Sequence, residues 1–261
     1  MNILDSITRD KIKEVELRKT LIPKKQLEQS VLFQRETISL GDKLRQSSSG
    51  IIAEHKRRSP SKSVINSSLN VFDVAIGYEN AGVCGMSILT DGKYFGGSLD
   101  DLLTSRASCR LPLLRKEFII DEYQILEAKA FGADVILLIA AILTRDDIKA
   151  LSEFSKSLNL EVLLEVHNEE ELHKSIMPSL DMLGVNNRNL KTFDVSLETS
   201  KTLSALIPDE FIKVSESGIS NVDAIKTLRT HGYQGFLIGE NFMKTEDPGT
   251  NAKAFINKLD N

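Results

Sequence analysis

The chain has no tryptophan, two cysteines and six prolines in 261 residues, and aromatic side chains make up only 6% of it. Sugar platforms usually need aromatic faces, so this scarcity counts against a glycosidase, the other common use of paired glutamates in a barrel. Cys84 and Cys109 lie far apart with no His or Cys beside them. That spacing fits no zinc site, and two free buried thiols are expected, as in cytoplasmic proteins. His55, His167, His173 and His231 are scattered without metal-ligand spacing, so no metal is expected. Long apolar runs are missing too: stretches such as Val135 to Leu143 fall far short of the roughly 20 residues a bilayer requires. The opening Met1-Asn2-Ile3-Leu4-Asp5 has neither a basic region nor a long apolar one. Neither a signal peptide nor a membrane partner is expected. Surplus positive charge is also lacking, with 33 Lys and Arg against 37 Asp and Glu. Nucleic acid is therefore an unexpected partner, because the phosphate lattice rewards clustered cations.

What is present, 41% hydrophobic and 27% charged residues, is the composition of an ordinary globule, long enough for one large α/β domain or two small ones. From Asp5 to Leu21 apolar positions recur at helical spacing until Pro23 stops them. A shorter helical stretch spans Leu27 to Leu32, and Arg45 to Gly50 reads as a polar connector. Residues 1–49 are thus expected to form a helical extension packed on the remainder of the chain. After Gly50, eight short aliphatic runs alternate with amphipathic stretches: Ile51–Ala53, Gly85–Leu89, Pro112–Leu114, Val135–Ile139, Val162–Leu164, Met182–Val185, Phe211–Val214 and Gly235–Ile238. Eight βα units in this length predict an α/β protein, a (β/α)₈ barrel over residues 50–261 forming one catalytic domain. A doubly wound sheet is the competitor, but its first turn normally carries glycines, and Glu54 to Ser61 has none.

In a barrel the C-terminal strand ends carry the chemistry. The first run ends in Glu54 and Lys56, two apart and so on one face of a strand. Others end in Lys116, Glu165, Asn186-Asn187-Arg188, Glu216-Ser217-Gly218 and Gly239-Glu240. Carboxylates and ammonium groups sharing one mouth shift one another's proton affinities, which suits acid–base work near neutral pH. The last two exits, with Ser217, Gly218 and Gly239, predict a phosphate cradle of backbone N–H groups. Glu240 is expected to contribute its N–H alone, since its carboxylate would repel the anion. Phe95, Phe118 and Leu137 stand near strand ends and could line a flat apolar pocket, with Asn186 beside it and the Arg188 fork suited to a carboxylate. His55, Arg57 and Arg58 receive no direct role and are expected to be solvated or to act behind the site.

These segments together resemble indole-3-glycerol phosphate synthase. The likeness spans almost the whole chain and is strongest in Ile52 to Ser61, Leu89 to Ser98, Leu114 to Ile119, Leu164 to Val166, Asn186 to Leu190 and Glu216 to Ile219. It implies a phosphorylated small-molecule substrate, 1-(2-carboxyphenylamino)-1-deoxyribulose 5-phosphate, which closes a ring and loses carbon dioxide and then water without any cofactor. It further implies that Lys116 is the general acid for ring closure and Glu165 the base. Lys56 matches a mobile-loop lysine with a catalytic or phosphate-binding role, paired with Glu54. Asn186 joins the catalytic set, and Ser59 and Arg188 contact substrate. Ser217, Gly218 and Gly239 hold the phosphate; Pro60, Phe95, Phe118 and Leu137 wall the aromatic ring. A cytoplasmic enzyme is expected, monomeric or at most a weak homodimer.

Three positions depart from the family pattern. Ser63 replaces a usual glycine, Glu117 a usual Asp after Lys116, and Asn189 a usual Asp after Arg188. They put rate and loop geometry in question rather than the activity. The alternatives are another phosphate-binding barrel, such as phosphoribosylanthranilate isomerase, or a barrel that binds a ligand without turning it over. The first is expected to use a Cys and an Asp, against which the Lys116 and Glu165 pair argues.

Overall fold

The computed structural model describes residues 3–60, 62–190 and 192–259. Three helices, α1 (Ile3–Leu21), α2 (Lys24–Glu28) and α3 (Leu40–Gln46), precede the first strand. The strands and helices then alternate as β1 (Ile51–His55), α4 (Val71–Ala81), β2 (Gly85–Leu89), α5 (Gly92–Phe95), α6 (Leu99–Ser108), β3 (Leu113–Lys116), α7 (Glu122–Ala130), β4 (Val135–Ile139) and α8 (Arg145–Ser157). They continue as β5 (Glu161–Val166), α9 (Glu169–Ser175), β6 (Met182–Asn186), α10 (Glu198–Ser204), β7 (Ile212–Glu216), α11 (Val222–Arg229), β8 (Tyr233–Ile238), α12 (Glu240–Met243) and α13 (Pro248–Leu259). All eight strands pair in parallel with their sequence neighbours, and β1 pairs with β8 through Ile51↔Phe236 and Ala53↔Ile238, so the sheet closes into a (β/α)₈ barrel.

The strands read as continuous apolar runs because both of their faces are covered. Ile52, Leu114, Leu137, Leu163, Met182, Val214 and Leu237 fill the barrel interior, while Ala53, Met86, Leu113 and Ile136 belong to the layer under the helices. Polar residues at the strand exits start the next helices. Asp91, Ser98, Asp121, Thr144, Asn168 and Asn221 each accept a hydrogen bond from a first-turn N–H. Rigid exits of this kind hold side chains at the rim in fixed places.

Several strands run one to three residues further than the aliphatic pattern suggests, because polar side chains continue the ladder once the barrel buries them. His55 in β1 and Arg115 in β3 are both buried in this way. The helical stretch expected to reach Leu32 ends at Glu28 and gives way to turns. The Arg45–Gly50 connector begins inside α3, whose Leu40 and Leu44 plug the N-terminal end of the barrel. Glu161 at the start of β5 fixes that plug, accepting from the N–H groups of Leu40 at 2.8 Å and Gly41 at 3.0 Å.

Candidate active site

Alternation along the strands turns Glu54, Lys116, Glu165 and Glu216 into the barrel, one from each odd-numbered strand. Four inward side chains from alternate strands make one layer of such a barrel, and here the topmost layer is charged. The Lys116 ammonium sits at its centre. It donates a hydrogen bond to Glu216 Oε2 and lies 3.6 Å from Glu165 Oε2 and 3.9 Å from Glu54 Oε2. Lys56, just past β1, pairs with Glu54 Oε1 at 2.6 Å. The layer thus holds three carboxylates against two ammonium groups. Burial opposes the charge on Lys116, but Glu216, Glu165 and Glu54 outweigh it and raise its proton affinity. Burial likewise works against ionised Glu54, yet Lys56 and Lys116 hold it below the usual carboxylate range. The surplus falls on Glu216, which burial pushes up to about 7 in spite of Lys116, with Glu165 adding repulsion. An acid that titrates near neutrality therefore stands against a firmly protonated amine.

Two glycines make this layer possible. A Cβ on Gly184 would stand 2.6 Å from Glu216 Oε1, and one on Gly239 would overlap Glu54 Oε1. Small residues on even strands leave the space into which carboxylates from odd strands fold.

Above the layer lies a cavity of 350 Å³. One wall is apolar. Phe95 on α5 and Phe118 after β3 have ring centroids 5.8 Å apart at 39°, over Leu137 and Ile139 of β4, with Ile3, Leu4 and Ile7 of α1 closing the slot. Ser59, Pro60, Asn186 and Arg188 border the same cavity. Asn186 Oδ1 accepts from the Arg188 N–H at 3.0 Å, and the guanidinium donates to the Phe193 carbonyl at 3.2 Å. On the other side are the turns after β7 and β8. Ser217 has φ 66° and Gly218 φ 79°, a left-handed pair costly for the serine. The buried Asn187 amide secures it, donating to the carbonyls of Glu216 at 2.9 Å and Ser217 at 3.1 Å. Gly239 precedes α12, whose first N–H groups no side chain caps. Glu240 turns its carboxylate to Lys62 at 2.8 Å, which lowers its proton affinity and leaves the backbone for the cavity.

All of the expected site residues border this one cavity. Ser61, part of the first-loop motif, lies outside the described residues. Of the residues left without a role, His55 is buried rather than solvated, and burial followed by the Arg57 charge depresses its proton affinity to about 4. Arg57 forks onto Asp101 at 2.6 and 2.7 Å, and Arg58 holds the carbonyls of Gly92 and Lys93. Sequence reasoning gave no role to Glu216, although the parity Ile212, Val214, Glu216 aims it inward as surely as Lys116. The departure at Glu117 also finds a reason, since its carboxylate meets Lys11 at 3.0 Å, Thr90 at 2.8 Å and the Phe118 N–H at 2.9 Å. Asn189 closes the loop after β6 by accepting from the Thr192 N–H at 3.2 Å. Among the described residues no His, Cys, Asp and Glu group is arranged to hold a metal, and no helix is long and apolar enough to cross a membrane.

Fold and site together define a (β/α)₈ barrel enzyme with an acid–amine centre buried at the C-terminal rim. The family model described as indole-3-glycerol phosphate synthase matches residues 4–255. A protein of that description from Bacteroides thetaiotaomicron is 46% identical over 258 residues, covering 99% of both chains, and one from Polaromonas naphthalenivorans is 41% identical over 250 residues, covering 95% of both. The chain belongs to the indole-3-glycerol phosphate synthase family. Among solved structures, 3-hexulose-6-phosphate synthase from Salmonella typhimurium matches with a TM-score of 0.65 at 12% identity, over 80% of this chain and 98% of the other, a likeness of fold alone.

Proposed function

We propose that the cavity takes 1-(2-carboxyphenylamino)-1-deoxyribulose 5-phosphate and converts it to indole-3-glycerol phosphate, carbon dioxide and water. The observation that carries this reading is the Lys116 ammonium, held among three carboxylates between an apolar slot and a glycine-rich turn. The aromatic ring lies between Phe95, Phe118, Leu137 and Pro60, with its carboxylate toward Arg188 and Asn186. The phosphate rests on Ser217, Gly218, Gly239 and the N–H of Glu240, within reach of Lys56, and Ser59 contacts the chain between them. Lys116 protonates the ketone oxygen as the ring carbon bearing the carboxylate attacks the carbonyl carbon. Carbon dioxide leaves and its electron pair restores the ring. Glu165 then takes a proton from the neighbouring carbon while Lys56, oriented by Glu54, gives one to the new hydroxyl, which departs as water. Residues 1–49 and 50–261 act as one unit on this reading, because α1 supplies part of the slot. A monomeric, cytoplasmic enzyme goes with it.

The test is turnover. Purified protein given this substrate yields indole fluorescence, and a signal no greater than that of Lys116→Ala would sink the reading. Lys116→Met lowers kcat by about 10²–10⁴-fold, the usual worth of a positioned acid, with a far smaller change in substrate affinity. An equal loss in both would make Lys116 a binding residue.

A further inference from the structure

Behind the charged layer lies a second line of contact that the proposed chemistry does not use. His167 stands two residues beyond Glu165, on the short exit from β5, with a side chain only 9% exposed. Its ring lies between two carboxylates. Nδ1 is 3.1 Å from Glu171 Oε2 and Nε2 is 3.3 Å from Glu165 Oε1. Nε2 is buried and makes no hydrogen bond of its own, so Glu165 is its one polar neighbour at ion-pair distance among the described residues.

Glu171 is itself held fast. Its carboxylate accepts from the His167 N–H at 2.8 Å and from the Asn168 side chain at 2.9 Å, while its own N–H donates to Asn168 Oδ1 at 2.9 Å. The first turn of α9 thereby becomes a rigid mount for the ring. On Glu165 the two oxygens divide: Oε1 faces His167 and Oε2 faces Lys116 at 3.6 Å. A carboxylate gripped at one oxygen cannot rotate freely, and the other oxygen keeps its aim.

We propose that His167 is a positioning residue, mounted on Glu171, which fixes one oxygen of Glu165 so that the other stays turned toward Lys116 and the reacting atoms. The inference rests on the synthase reading for what Glu165 does. The groups facing the ring are Glu165 from β5, Glu171 from α9 and, at longer range, Glu216 from β7. Burial opposes a charge on His167, but these three carboxylates outweigh it and hold its proton affinity above the usual range.

Two measurements test the proposal. In steady-state kinetics His167→Ala loses about ten- to a hundredfold in kcat, the scale of a slightly misplaced catalytic group, with KM within about threefold. His167→Gln, whose amide can place a donor against the same oxygen of Glu165, recovers most of that loss. A kcat for His167→Ala within about twofold of wild type, or equal losses in the two variants, overturns the inference. If His167→Ala does not fold, Glu171→Gln takes its place. It keeps one acceptor oxygen and the backbone N–H bond to Asn168 Oδ1 but removes the mounting charge, so kcat falls with KM unchanged, and a wild-type kcat overturns the proposal. The second measurement needs no substrate: in an NMR titration Glu165→Gln lowers the His167 midpoint, and an unmoved midpoint refutes the contact. A wild-type enzyme that makes no indole product would instead defeat the synthase reading, whatever the titration shows.

Discussion

At the scale of single residues, Glu216 carries the balance of the site. Three carboxylates and two amines cannot all be ionised in a buried layer without leaving one negative charge unmatched. Glu216 is raised from 4.5 to about 7, with burial the largest influence on it and Lys116 opposing. A folded acid with raised proton affinity binds its proton more tightly than the unfolded chain does. Its stabilising contribution is whole below about 4.5 and is lost as the pH climbs through about 7. Glu216→Gln, which imitates the protonated form, escapes this loss. Denaturant unfolding therefore shows the variant gaining on wild type by on the order of 2–3 kcal/mol between about pH 5 and about pH 8. A difference that is flat with pH would place the unmatched charge elsewhere. Lys116, Glu165 and Glu54 were legible in the sequence because each ends an aliphatic run. The part of His167 was not, since the proximity of its ring to one oxygen of Glu165 depends on a side-chain rotamer that spacing does not fix.

At the scale of elements, α1 is bound to the barrel through a buried charge. Lys11 is 2% exposed and meets Asp91 at 2.8 Å, Glu14 at 2.9 Å and Glu117 at 3.0 Å. Burial opposes its charge, but Glu117 and Asp91 prevail and raise its proton affinity. Asp91 caps α5, which carries Phe95, and Glu117 follows Lys116 directly, so one lysine of the extension braces both the apolar wall and the strand end that carries Lys116. Lys11→Met removes the cation shared by two buried carboxylates, leaving Glu117 with Arg115 at 3.8 Å, and costs about 3–5 kcal/mol. Unfolding measurements read that loss, and Glu117→Gln on the same background restores part of it. Spacing alone puts Lys11 on the buried stripe of α1, between Ile7 and Val15, but does not name its partners, which come from the segments after β2 and β3. The order of the barrel strands, by contrast, was legible, because each buried strand is an aliphatic run, and many of the helices start at a capping residue, although α2, α10 and α12 have none.

At the scale of the molecule, the barrel closes between its first and last units, and α4 meets α13 through a bare crossing. A Cβ on Gly249 would stand 2.6 Å from the Gly77 Cα, so the two helices touch backbone to backbone. Gly249→Ala forces them apart at a cost of about 1–3 kcal/mol. The thermal midpoint falls while kcat below the transition is unchanged, because neither residue borders the cavity; a matching loss of kcat would show that closure also tunes the rim.

The charged layer draws its members from β1, β3, β5 and β7, and so from the full length of the chain. During synthesis at about 5–20 residues per second, Glu54 emerges some ten to thirty seconds before Glu216. Until then Lys116 meets water where its strongest partner will stand, and Gly239, over which Glu54 must fold, arrives later still. The site has no early half that could be selected, inhibited or rescued alone. The complete layer cannot precede the strand that carries Glu216 and the turn that carries Gly239, so it belongs late in the life of the nascent chain.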